Sequence, residues 1–215
     1  MRHRFLPYFI LAGILCCALI SVPVLAYSAD AVRYYDAGNS FFKAKNYTAA
    51  IVAYDNAIGL EPGYYEAWNA KADALNKDKQ YYNALVASDK TISLNPQYLQ
   101  GWLNRGTILY MLGRYEDEQK AYDTAIAIDP TNTSAWFFKG FSLGGMKKYD
   151  EAIAAFDKVK SIDPDYPRID YYRDMAVQMR DEESPVSMKN LVYIIGGAVI
   201  IIAAAAWYLA VRKQY

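Results

Sequence analysis

Four prolines, Pro62, Pro96, Pro130 and Pro164, stand 34 residues apart, and each follows an apolar residue and an acidic or amide one: Leu60-Glu61, Leu94-Asn95, Ile128-Asp129 and Ile162-Asp163. A constant period is an internal repeat, and each repeat must bury its apolar face against its neighbours, so the array is itself the fold. Proline after an acidic or amide residue stops one helix and begins the turn into the next. In the first unit Ala50, Ile51, Tyr54, Ala57 and Ile58 fall at the three-and-four spacing of one helix face.

With each proline at position 32, the units run 31–64, 65–98, 99–132 and 133–166. Position 4 holds Tyr34, Trp68, Trp102 and Trp136, and position 8 holds Gly38, Ala72, Gly106 and Gly140. Tyrosine fills position 17 throughout (Tyr47, Tyr81, Tyr115, Tyr149), whereas position 24 is Tyr54, Ser88, Tyr122 and Phe156. Position 20 is Ala50, Ala84, Glu118 and Ala152. This pattern resembles the tetratricopeptide repeat family over 136 of 215 residues. The resemblance implies an all-α right-handed superhelix of four two-helix repeats, with helix A over positions 1 to 14 and helix B over 17 to 30. Gly113 falls where a helix A should end in a left-handed residue. Ile169, Tyr172, Ala176 and Met179 predict a capping helix over 167–180, with Arg168, Arg173, Asp174, Gln178 and Arg180 as its polar outer face; a charged linker, 181–190, follows.

The apolar content of 54% is high for a wholly soluble chain and concentrates at the two ends. Residues 1–26 open with Arg2, His3 and Arg4, continue as an apolar run and close on Pro23-Val24-Leu25-Ala26, the layout of a secretory signal cut after Ala26. An uncleaved N-terminal anchor is the alternative, which would add a second span. Residues 191–211 carry no charge over 21 positions, about 31 Å as a helix, and predict a transmembrane helix. Tyr193, Trp207 and Tyr208 mark its interfaces, and Arg212-Lys213 put the tail 212–215 in the cytoplasm, leaving the repeats extracytoplasmic. The chain is thus expected in the cell membrane with a single C-terminal span. Gly196, Gly197, Ala206 and Ala210 could pack a second helix, a route to a homodimer.

Between the two ends, 19 basic residues face 23 acidic ones, so nucleic acid is a poor partner. Cys16 and Cys17 are the only cysteines and His3 the only histidine, which excludes a disulfide framework, a Cys/His zinc site and a thiol nucleophile from the repeats. The cysteine pair reads as apolar filler, with lipidation as the alternative. No cofactor loop is present: Gly144-Gly145 lacks the spacing and the Ser/Thr of a phosphate loop. The adjacent acids Asp117-Glu118 and Glu182-Glu183 read as solvated charges, and Glu118, where alanine is expected, should pair with Arg105 or run out to water. Asn46-Tyr47-Thr48 and Asn132-Thr133-Ser134 match the glycosylation acceptor.

No catalytic constellation stands out, so an enzyme is the weakest of three function classes. The leading one is a membrane-tethered scaffold that binds a peptide or partner protein in the concave groove. The second is a structural component of an envelope or membrane complex acting by self-association. The resemblance implies that the groove wall is formed by helix A positions pointing away from helix B. Here these include Tyr35, Asn39, Phe42, Asn69, Asp73, Leu103, Asn104, Tyr110, Phe137 and Phe141. One branch of the family grips a free carboxylate at positions that here hold Tyr35, Asn39, Ala70, Gln100 and Asn104, with no cation among them. An apolar or neutral peptide is therefore expected, centred on Tyr110, Phe137 and Phe141. Phe138, and after it Phe137, are the candidates to be core rather than groove.

Overall fold

The structure is a computed structural model that describes residues 27–183 together with Tyr193, Ile195 and residues 199–201. Nine helices run from Tyr27 to Glu183, with no strand among the described residues: α1 Ala29–Lys43, α2 Tyr47–Leu60, α3 Tyr65–Lys77, α4 Tyr81–Leu94, α5 Leu99–Met111, α6 Tyr115–Ile128, α7 Thr133–Gly145, α8 Tyr149–Ile162 and α9 Ile169–Glu183. They form a solenoid in which each helix packs chiefly on the one before and the one after it. The signal or anchor at 1–26, with Cys16 and Cys17, lies outside the described residues, as does most of 191–211. Tyr193, Ile195 and 199–201 are helical and exposed. Among the described residues no helix is long and apolar enough to cross a membrane.

Position 15 closes every helix A with a left-handed residue: Lys45, Lys79, Gly113 and Lys147, with φ of 59°, 64°, 70° and 62°. The next amide in each case donates back to the last turn, Asn46 to Phe41 O, Gln80 to Leu75 O, Arg114 to Leu109 O and Lys148 to Leu143 O, all at 2.9 Å. This bond satisfies a carbonyl the helix end would leave orphaned, and only the third repeat uses glycine for it. Asn46 and Asn132 then serve as N-caps of α2 and α7, their side-chain oxygens accepting from the backbone N–H of Ala49 and Ala135.

Inside each repeat, positions 8 and 24 are coupled by volume. A Cβ at Gly140 would come 2.8 Å from Phe156 Cε1, and one at Gly38 or Gly106 closer still to the Tyr54 or Tyr122 ring. The second repeat reverses both choices: Ala72 adds the methyl and Ser88 removes the ring, and both are fully buried. Close helix approach therefore survives there, and also in the third repeat despite Glu118.

Between repeats, two contacts recur with the same period. Trp68, Trp102 and Trp136 donate through Nε1 to the carbonyls of Pro62, Pro96 and Pro130, at 3.0, 2.9 and 3.0 Å. An aspartate at position 25 meets a cation at position 7 of the next unit: Asp55–Lys71 at 2.6 Å, Asp89–Arg105 at 2.8 Å, Asp123–Lys139 at 2.5 Å and Asp157–Arg173 at 2.5 Å. Such half-exposed pairs contribute about 0.2–1 kcal/mol each, so they act on register more than on stability. The last rung shows that α9 keeps the register of a fifth helix A. Pro167 and Arg168 belong to the turn, which delays α9, and pairs from Lys147 to Glu183 and from Arg180 to Asp150 extend its far end to Glu183. The predicted cap thus shifts, and takes the first three residues of the predicted linker.

Candidate functional site

The residues expected on the concave wall divide into two groups. In the first two repeats, most are occupied by the protein itself. Tyr35 is half-buried, its ring centroid 5.9 Å from Tyr54 and 5.1 Å from Tyr64. Asn39 accepts a 2.9 Å bond from the Tyr54 hydroxyl, and Phe42 lies edge-on to Tyr47 at 5.5 Å, against the core around Ala50 and Tyr54. Asn69 is buried and accepts from Asn104 Nδ2 at 2.9 Å, while Asn104 in turn accepts from Gln100 at 3.2 Å. Asp73 is half-buried; desolvation pushes its carboxyl pKa up and Lys77 pulls the other way. Asn76 Oδ1 is the one polar atom of this half that is buried without a partner among the described residues.

Leu103 is turned inward, 5% exposed and packed with Tyr122, Ala125 and Ala135, so it supports the wall without facing a partner. An apolar side chain at the margin between two helices gains by rotating into the core.

The C-terminal half is a ring-lined cavity of about 200 Å³ between α5 and α7. Tyr110, Met111 and Thr107 come from α5, Phe137, Phe138 and Phe141 from α7, and Tyr122 and Glu118 from α6. Phe138 stacks on Tyr122 with centroids 6.0 Å apart, yet is 37% exposed; Phe141 is 42% exposed and lies edge-on to Tyr110 at 6.1 Å. Phe137, not Phe138, is the residue drawn into the core: it meets Phe156 at 6.0 Å, Tyr166 at 5.4 Å and Tyr172 of α9 at 5.0 Å. Tyr172 completes the cavity, a contribution from the cap that sequence reasoning did not assign to the groove.

Glu118 corrects two expectations together. It is 1% exposed, so it is not a solvated charge, and it does not pair with Arg105, which is held by Asp89. Asp117 beside it is the surface acid, bonded to Arg114 and Lys120, which hold its carboxyl below the usual range. Glu118 Oε2 is buried with no hydrogen-bond partner. Burial pushes its pKa up to about 7, and the Ser142 hydroxyl, whose oxygen accepts from Gln119 at 2.9 Å, pulls the other way. The visible signal was the break in the alanine column at position 20. Its partner surface belongs to the next repeat, which a comparison within one repeat does not reach. Among the described residues no group of acids, cysteines or histidines could hold a metal ion.

The chain belongs to the tetratricopeptide repeat family, whose models match residues 35–88, 79–133 and 133–166. No curated protein matches it in sequence. Among solved structures it is similar to MamA from Desulfovibrio magneticus RS-1, at 16% identity and a TM-score of 0.65, over 80% of this chain and 96% of that one. It is also similar to YrrB, a tetratricopeptide repeat protein with an unusual peptide-binding site (18% identity, TM-score 0.58, 82% of this chain and 92% of that one). The first such domain of Spaghetti (RPAP3), bound to the HSP90 peptide SRMEEVD, is 22% identical with a TM-score of 0.53, over 54% of this chain and 93% of that one. At these identities the likeness concerns the fold.

Proposed function

We propose that this protein is a membrane-tethered interaction scaffold that binds a peptide or partner protein at the C-terminal half of its concave groove. The observation that carries this reading is the exposed ring pair Phe138 and Phe141, which lines an open cavity together with Tyr110, Tyr122, Phe137 and Tyr172. Exposed aromatic side chains in a concavity are affinity anchors, because they bury much area for little lost side-chain freedom. Peptide binding by YrrB and by the RPAP3 domain supports a groove ligand in general. A carboxylate grip like that of the family branch described above has no support here, since Tyr35 and Asn39 are engaged with Tyr54 and the cations are missing.

Tethering is supported by the uncharged stretch 191–211, of which the described residues are helical and exposed, and an extracytoplasmic position by Arg212-Lys213. The absence of a catalytic constellation in the sequence supports a role other than enzyme. Self-association is favoured by one feature at the opposite end. The first repeat has Tyr34 and Ala37 where later repeats have the inter-repeat tryptophan and cation, and an apolar groove of about 550 Å³ lies open there between Tyr34, Phe41 and Val52.

The test compares full-length protein with Y110A/F141A in capture of partners from detergent-solubilised membranes. The scaffold reading expects bands lost in the variant with the helical signal unchanged. Bands retained at equal intensity would place binding elsewhere. Protease added to wall-stripped intact cells tests the topology: digestion of the repeats is expected, and survival until the membrane is broken overturns it.

A further inference from the structure

Among the described residues, Glu118 is the one charged side chain that is buried, and the fold does not ask for it. The same position is alanine in the other three repeats, where it is fully buried and free of any polar demand. An uncompensated carboxylate in such a place is destabilising, so its presence calls for a counter-charge. The Ser142 hydroxyl bonds to the carboxylate, but the chain provides no counter-charge: none of the nine residues lining the cavity is a lysine, arginine or histidine, and Arg105 of α5 and Lys139 of α7 are held by Asp89 and Asp123. The lining is otherwise aromatic. Ring faces carry negative charge density that attracts cations, most strongly where water is excluded.

We propose that this cavity receives a cationic side chain of the bound peptide, a lysine ammonium or an arginine guanidinium, with Glu118 as its counter-charge and the rings of Tyr110, Phe138 and Phe141 as its walls. The inference rests on the groove reading above and specifies its ligand: an otherwise apolar or neutral segment carries one basic anchor. An apolar anchor would seal the carboxylate away from water with its Oε2 still unpartnered, and an anionic one would be repelled. A cation supplies the missing partner and lies against ring faces along its apolar stem. Access is past Phe138 and Phe141, the part-exposed rings at its rim, which pack on Phe137 at 5.7 and 6.5 Å.

The probe is N-butylammonium chloride, which reproduces the end of a lysine side chain, with butyramide as a neutral hydrogen-bonding control. Full-length protein in detergent carries 4-fluorophenylalanine at its eight phenylalanines, and the fluorine signals of Phe138 and Phe141 are followed at pH 8. Saturable shifts are expected with butylammonium and only weak ones with butyramide. E118Q, and E118A with the residue of the sister repeats, should weaken the ammonium response at least fivefold while keeping the dispersed fluorine spectrum of a folded protein. Equal responses to the two probes in the wild type, or an undiminished ammonium response in both variants, overturn the assignment. If that happens while Y110A/F141A still loses its partner, the groove reading stands and the cation reading alone falls.

Discussion

The two halves of the concave wall present similar raw material, rings and amides on successive A helices, and use it in opposite ways. In the first two repeats two of the amides bond to neighbours, Asn39 to Tyr54 and Asn69 to Asn104, and Asn76 Oδ1 is the exception. In the third and fourth, the rings surround a cavity and a carboxylate is buried without a partner. A polar group already satisfied within the protein offers little to a ligand, since exchanging one bond for another gains almost nothing. An unsatisfied one in a ring-lined site offers more. The difference teaches that chemical type at a groove position is a weaker guide to binding than whether the side chain's demands are met at home.

The comparison breaks most visibly at Phe137. Because this ring sits beneath α9 and joins the core around Phe156 and Ile169, F137A should cost about 3 kcal/mol and lower the melting temperature. F141A, with its ring nearly half in solvent, should cost less, about 1–2 kcal/mol. Chemical denaturation of both variants checks this. Replacing Phe137 along with Tyr110 and Phe141 would therefore confuse lost binding with lost stability, and the double variant Y110A/F141A leaves it in place.

Glu118 gives the next effect, and it depends on pH. Its carboxyl is held near pKa 7 in the folded protein, above the ordinary value of 4.5, so the native state keeps a proton that the unfolded chain releases. Stability from this source is fully present below pH 4.5 and is lost as pH rises through 7. E118Q should accordingly be about 2–3 kcal/mol more stable than wild type at pH 8 and nearly equal to it near pH 4. Denaturant titrations at the two pH values, without ligand, report the difference.

Smaller effects separate the halves further. N104A removes the amide contact between α3 and α5 and should cost about 1 kcal/mol while leaving partner capture intact. K79G, at a left-handed position that glycine already fills in the third repeat, should gain up to about 1 kcal/mol, less the added freedom of the unfolded chain.

Much of the array was legible because its signals lie within one period: helix B occupies positions 17 to 30 in every repeat, and the proline spacing places the turns. The exchange of Gly and ring for Ala72 and Ser88 was visible as two separate anomalies, and only contact distances reveal them as one compensated change. What stayed hidden involves contacts that cross repeats. Glu118 faces Ser142 of the next unit, Tyr172 reaches the groove from the cap, and Leu103 turns inward under the influence of Ala135. A side chain on the margin between two helices is placed by its neighbours' volumes, which periodicity does not encode.

The division of the groove is tested most directly by photo-crosslinking in living cells, with benzoylphenylalanine in place of Phe141 in one strain and of Lys43, exposed at the end of α1, in another. Discrete adducts from position 141 and none from position 43 are the predicted result. Adducts from position 43 with none from 141 would contradict the assignment of binding to the ring-lined half.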